Sequence, residues 1–126
     1  MTAFNTPNII SNFRAGADLS ADANKYLAVK FDGSGDIVLA GAGEAAIGFL
    51  FNSPQLGDVT EVATLGGGAK GVSAGTIAAG VFVKSDANGK LVAATTANDL
   101  AIARTMKSSV ADDVVEIQPV LLRIHA

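Results

Sequence analysis

Apolar and polar residues alternate in short runs along most of the chain, as they do in half-buried β-strands. Leu27, Val29 and Phe31 alternate in one run, and Val81 and Val83 alternate in another. Turns rich in Gly, Asn and Asp separate these runs, and a sustained 3.6-residue apolar period between helix-capping signals is absent. The pattern therefore predicts an all-β domain of the barrel or sandwich type.

A shift of 54 residues lays one part of the chain over another. Residues 26–46 match residues 80–100 at six of 21 positions, and after one further residue of shift 47–62 match 102–117 at five of 16. The alternative is that two β-hairpins of similar composition resemble each other. We interpret the match as a duplicated four-strand unit, which would close a small barrel-like domain with few bare edges.

Each copy is predicted to place a tight hairpin turn between its first two strands. The turns read GSGD (33–36) and DANG (86–89), and Gly35 occupies the same position as Gly89, which follows Asn88. A hairpin turn requires a residue with positive φ at such a position, which glycine adopts without strain. The predicted strands are 27–31, 37–39, 47–51 and 59–65 in the first copy (26–62) and 81–83, 91–93, 100–105 and 114–117 in the second (80–117).

The N-terminal segment, residues 1–24, lies outside both copies. Phe4, Ile9, Ile10 and Phe13 stand there among asparagines and a proline. Apolar residues spaced in this way suit an extended arm that adds a strand to a neighbour's sheet edge, so these four are candidate contacts with a neighbouring protein. The other interpretation is an extra strand that completes the protein's own sheet, and both remain open at this point.

Two further segments flank the second copy within the single β domain predicted for residues 25–126. The linker 63–79 carries a triple glycine, predicted to be a hinge or a sharp turn, and an Ala-rich piece that could form one helical turn. The tail 119–126 alternates and is predicted to be a closing strand, which Pro119 places at an edge or a bulge.

Composition narrows the classes of function. The chain has 126 residues, a formal net charge of −3, no Cys, no Trp and one Tyr, so disulfides and an aromatic-lined ligand pocket are not expected. Lysines and arginines are scattered singly, and the basic stripe that nucleic-acid binding requires is missing. Neither a leader peptide nor an apolar stretch near the roughly 20 residues of a membrane span is evident, so we expect synthesis in the cytoplasm and no membrane partner.

The sharpest enzymatic hint is GAGEAA (41–46), a form of the dinucleotide-binding fingerprint with Glu61 twenty residues after Gly41. That mechanism needs a helix after the turn to hold the pyrophosphate, whereas the β-rich run IGFLF follows here. A plain turn is therefore predicted, and no cofactor.

The sequence also gives little indication of a metal site or of a catalytic nucleophile. Asp32 and Asp36 flank one turn and Asp112 and Asp113 begin another, but no EF-hand spacing is present and aspartates of this kind commonly form turns. His125 has neither a second histidine nor a cysteine to complete a zinc site, and no nucleophile motif accompanies it. We predict no metal, no catalytic residue and no enzymatic activity.

The second copy and its flanks resemble the small capsid decoration proteins, also called cement or head-stabilising proteins, of tailed bacteriophages. The resemblance covers most of residues 25–118 and rests on Gly80, Val83, Asp86, Gly89, Lys90, Leu91, Ile102, Ala103, Val114, Val115 and Ile117.

This resemblance implies a barrel-like subunit on the outer face of the major capsid protein lattice, often as a homotrimer, and hence a virion structural protein made in the host cytoplasm. The alternative function is a ligand- or sugar-binding β-module of a phage fibre or surface appendage. Such a module would be expected to show exposed aromatic residues, and the single Tyr26 argues against it.

Overall fold

The computed structural model describes residues 8–65 and 67–124, which form ten strands in two five-stranded antiparallel sheets. The expected all-β, barrel-like fold is confirmed. The first unit (8–65) contains β1 (Asn8–Arg14), β2 (Ala28–Phe31), β3 (Ile37–Leu39), β4 (Gly48–Leu50) and β5 (Val59–Thr64). The second unit (67–124) contains β6 (Ala69–Val72), β7 (Phe82–Ser85), β8 (Leu91–Ala93), β9 (Leu100–Thr105) and β10 (Val114–Arg123). A 3₁₀ turn spans Asp22–Asn24.

Both sheets connect their strands in the same order. The hydrogen-bonded order is β1-β5-β4-β2-β3 in the first unit and β6-β10-β9-β7-β8 in the second. Just after the first strand of each unit, Ala15 bridges to Ile37 and Ser73 bridges to Leu91, so the two edges of each sheet meet. Each unit is therefore a small barrel closed on itself. The shared order is what the 54-residue repeat predicts, whereas a duplication as its origin stays a prediction.

Each unit has one strand more than the four expected from the sequence. The additional strands are β1, within the N-terminal segment, and β6, within the Gly-rich linker. β1 pairs with β5 and β6 pairs with β10, so each completes the sheet of its own unit. Neither shows clean alternation, because a register shift separates Ile10 from Phe13 in β1 and β6 reads AKGV.

The tail does not form a strand separate from its neighbour, contrary to the expectation for residues 119–126. β10 continues through Pro119, which lies opposite Ala103, and the register shifts between Pro119 and Leu122. A bulge at this point accommodates a residue that cannot donate a backbone hydrogen bond. The linker likewise shows no helical turn at residues 73–80, where Ile77 and Ser109 instead exchange two backbone hydrogen bonds of 2.9 Å.

Two groups of buried side chains make up the core. One lies inside the first barrel and includes Val29, Ile37 and Leu50. The other joins the units, because Phe49 of the first unit is buried in the same cluster as residues of the second. Burying an aromatic side chain of this size contributes roughly 1.5–3 kcal/mol, so the contact between the units is part of the fold rather than a loose linkage. The second cluster comprises Ala28, Ala40, Phe49, Ala63, Ala69, Ile77, Val83, Leu91, Ile102, Ala103, Val115 and Ile117.

Candidate functional site

The two predicted hairpin turns have the same internal geometry. Gly35 has φ of +83° and Gly89 has φ of +79°. In the second turn the Asp86 carboxylate accepts hydrogen bonds from the Asn88 and Lys90 amides at 2.8 and 2.9 Å. Asp32 accepts the corresponding two bonds in the first turn, at 2.8 and 3.0 Å. Both aspartates therefore serve to close turns.

The loops between the second hairpin strand and the next strand are also alike. Lys30 forms an ion pair of 2.7 Å with Glu44, and Lys84 forms one of 3.1 Å with Asp99. The hydrogen bond from Lys30 is the main cause that lowers the pKa of Glu44. A hydrogen bond from the Thr96 amide is the main cause that lowers the pKa of Asp99, with Lys84 second. These acids hold loops in place and do not form a reactive pair.

The structure gives the fingerprint-like GAGEAA segment the form of a turn. Gly43 has φ of +69°, and the segment leads into β4 without an intervening helix. The pyrophosphate site that a helix N-terminus would supply is therefore missing from this place. Across residues 8–65 and 67–124, no group of three His, Asp or Glu side chains gathers in a way that could hold a metal ion. Over the same residues, the 3₁₀ turn is far too short to cross a bilayer, and there is no helix that is long and apolar enough to do so.

The structure places three of the four N-terminal candidate residues in β1. Ile9, Ile10 and Phe13 are half-buried and pack against the core. The Phe13 ring meets Phe31 edge to face, with 4.9 Å between the ring centroids. Of the two interpretations of this segment, the described residues show the strand that completes the protein's own sheet. Phe4, like His125, lies outside the described residues.

An apolar groove runs along the junction of the two units. It has a volume of about 320 Å³, and its lining contains no charged side chain. Leu65 and Leu121 project into solvent at its margin, with exposed fractions of 49% and 54%. The groove is lined by Ala45, Ala46, Ile47, Gly48, Leu65, Ile102, Pro119, Val120 and Leu121.

Sequence reasoning missed this groove because four distant segments assemble it. Its one visible signal is the apolar run PVLL at 119–122, which alternation assigned to a strand with one solvent-facing side. The bulge after Pro119 changes the facing of the residues that follow, so both Leu121 and Leu122 are exposed.

No protein-family model matches the chain, and no curated protein matches it in sequence. Among solved structures, the chain is similar to the crystal structure of the head fibre gp8.5 N base in bacteriophage phi29. The TM-score is 0.69 at 15% sequence identity, and the match covers 94% of this chain and 100% of that chain. At this identity the likeness establishes a common fold across nearly the whole chain.

Proposed function

We propose that the chain is a non-enzymatic structural protein of a bacteriophage virion, which binds the outer face of the capsid lattice and stabilises it. The observation that carries the proposal is the fold shared with a phage head fibre base over 94% of the chain. The sequence resemblance to capsid decoration proteins supports the same role. The acidic residues that could have suggested chemistry are engaged in closing turns and loops.

The apolar groove is the surface we assign to the capsid protein. Its neutral lining suits contact with another protein surface better than contact with nucleic acid, which requires basic residues. Each leucine that becomes fully buried on binding would contribute roughly 1.5–3 kcal/mol before the costs of ordering. We also propose a homotrimer, because linked copies would multiply a modest contact into strong attachment.

The N-terminal attachment hypothesis narrows to the residues before β1. Ile9, Ile10 and Phe13 are committed to the protein's own sheet, so deleting residues 2–20 would remove a strand together with any contact. The informative deletion is residues 2–7, which removes Phe4 and leaves β1 intact. If this segment binds the capsid, the shortened protein should keep its melting temperature and lose affinity for the capsid.

The experiment uses capsids that lack this protein, prepared from the phage that encodes it. Pure wild-type protein should sediment with them through a sucrose gradient and raise the temperature at which they disrupt. Leu121→Asp should reduce binding, whereas the matched control Leu56→Asp, at an exposed leucine outside the groove, should bind as wild type does. Wild-type protein that stays at the top of the gradient would overturn the proposed function, and equal binding by both variants would overturn the groove assignment.

A second candidate role within the virion is the base of a head fibre, which the printed description of the structural neighbour favours. In that role the protein would connect a fibre to the head instead of covering the lattice. Immunogold labelling of intact virions distinguishes the two roles. Gold at the foot of each fibre supports the base, and gold spread over the shell between fibres supports the decoration protein.

A further inference from the structure

The two hairpin turns, alike in geometry, differ in what covers them. The second turn (86–90) packs on the first unit, where the Gly89 carbonyl accepts a hydrogen bond of 2.8 Å from the Ala28 amide. A Cβ atom added at Gly89 would lie 3.3 Å from the Cβ of Leu27. The first turn (32–36) is exposed, and a Cβ atom added at Gly35 would meet no atom within 4 Å.

The difference in burial between the two turns shows how the two units are joined. A two-fold relation between them would bury both turns in the same way, because each would contact the other unit. Here Gly89 is buried against the first unit whereas Gly35 is exposed, so the units are joined head to tail. Such a contact leaves one turn and one receiving surface unused, and both belong to the same chain.

The unused receiving surface of the second unit consists of Val81 and Phe82, which correspond to Leu27 and Ala28. Leu27 and Ala28 are buried under the second turn, whereas Val81 and Phe82 are half-exposed. The Phe82 carbonyl accepts from the Ala94 amide at 2.9 Å, as the Ala28 carbonyl does from Ala40, so the backbone is arranged alike at both places. Among the residues that the structure describes, no loop carbonyl accepts a hydrogen bond from the Phe82 amide, although the Gly89 carbonyl accepts one from the Ala28 amide.

Charge distinguishes the unused pair of surfaces from the pair already in contact. The first turn carries Asp32 and Asp36, whereas the second turn has Lys90 at the position of Asp36. Arg104 lies beside the unused receiving surface, with its guanidinium carbon 5.4 Å from the Phe82 ring centroid and its Nε donating to the Gly80 carbonyl at 3.2 Å.

The positions of these charges correspond across the contact. Lys90 pairs with Asp112 of its own unit at 2.7 Å and lines the same depression as Tyr26, which corresponds to Gly80 in the second unit. A first turn seated in the equivalent way would therefore bring the Asp36 carboxylate towards Arg104. The unused surfaces thus carry opposite charges at the place where they would meet.

We propose that the first turn of one copy docks on Val81, Phe82 and Arg104 of a second copy, and so repeats between chains the contact that the second turn makes within a chain. One bond is not repeated, because the Gly43 amide donates to Ser85 within the chain, whereas the amide of Asn98, which has a positive φ like that of Gly43, donates to Ile124. Identical head-to-tail contacts form a closed ring when the rotation returns to the first chain. The docking does not depend on the capsid role and would hold if that role failed.

Disulfide trapping tests the contact directly, because the chain contains no cysteine. Gly35→Cys protein is mixed with Val81→Cys protein under mild oxidation. The corresponding Cβ positions within the chain are 3.3 Å apart, close to the roughly 3.5–4.5 Å of disulfides. We expect a two-chain product on a non-reducing gel. The control is Gly33→Cys, whose counterpart Ala87 is exposed within the chain, so it should give little product with Val81→Cys.

Charge reversal provides an independent measurement on the protein without cysteines. Wild-type protein should sediment as an oligomer that dissociates as salt is added, because the paired charges are at the surface. Arg104→Glu should give a folded monomer, and Asp36→Arg combined with Arg104→Glu should restore the oligomer. A wild-type monomer at every concentration, an unchanged oligomer for Arg104→Glu, or equal trapping by Gly33→Cys and Gly35→Cys would overturn the proposal.

Discussion

Substituting alanine at the two turn glycines should give unequal losses of stability. Both residues have positive φ, which costs a non-glycine residue roughly 1–2 kcal/mol. Loss of unfolded-state entropy offsets about 0.4–1 kcal/mol of this strain. Gly35→Ala should therefore cost about 1 kcal/mol, since its new methyl group would project into open space.

Gly89→Ala carries an additional cost. Its methyl group would lie 3.0 Å from the Ala28 carbonyl oxygen, which is backbone and cannot rotate away. Crowding of this kind typically costs about 1–3 kcal/mol, so the total should reach about 2–4 kcal/mol. A change of 1 kcal/mol moves the melting temperature of a chain of this size by roughly 2–8 °C, which makes the difference measurable.

The assay is urea unfolding followed by circular dichroism, with both substitutions made in the Arg104→Glu background. That background keeps the first turn uncovered, so the comparison reports only contacts within one chain. Equal losses for the two variants would refute the reasoning, because the second turn would then have no packing against the first unit to lose. A larger loss for Gly35→Ala would refute it as well.

Three further predictions concern polar groups. Glu44 and Asp99 have lowered pKa values in the folded state, so the stability that they contribute is present above the unfolded pKa values of 4.5 and 3.8 and is lost as pH falls through the folded ones. The double variant Glu44→Gln with Asp99→Asn should therefore show a smaller fall in its urea midpoint between about pH 5 and about pH 3 than wild type does. An unchanged slope would contradict this. Ser109→Ala should cost about 1–3 kcal/mol in urea unfolding, because it leaves the buried Ser73 hydroxyl without its partner at 2.5 Å. Adding Ser73→Ala should then cost less than Ser73→Ala does alone, and simple additivity of the two losses would count against the pair. Asp86→Ala should lower the melting temperature more than Asp86→Asn, which keeps one acceptor oxygen for the turn amides; equal effects would show that the two bonds contribute little.

The hairpins were predictable because local chemistry specifies them. Strands 37–39, 91–93 and 100–105 were predicted with the bounds that the structure shows, and the first two each follow a turn glycine, Gly35 or Gly89. β1 was one of two interpretations of its segment and β6 was not predicted, because a register shift breaks the alternation of the first and small residues make up the second. Their strand state comes from pairing with β5 and β10, which are distant in sequence.

The surfaces could be predicted less well than the fold. The first and second turns look equivalent in sequence, yet Gly89 is buried and Gly35 is exposed, because burial depends on how whole units are joined. The groove depends on the register shift after Pro119, which no alternation pattern reveals. The sequence singled out the apolar residues of the N-terminal segment, but it could not show that Ile9 and Phe13 pack against the protein's own core.

Each barrel is built from one uninterrupted stretch of chain, and this has a consequence for synthesis on the ribosome. The first unit emerges from the ribosome while the second is still being translated, which at about 5–20 residues per second takes roughly 3–12 s. During that time the surface around Leu27 and Ala28 lacks the second turn that later covers it. A neighbouring chain could then place its own second turn on this surface, which would produce an entangled, domain-swapped pair of chains. Refolding from denaturant at high protein concentration, where many incomplete molecules meet at once, should therefore yield more of these entangled pairs than slow synthesis does.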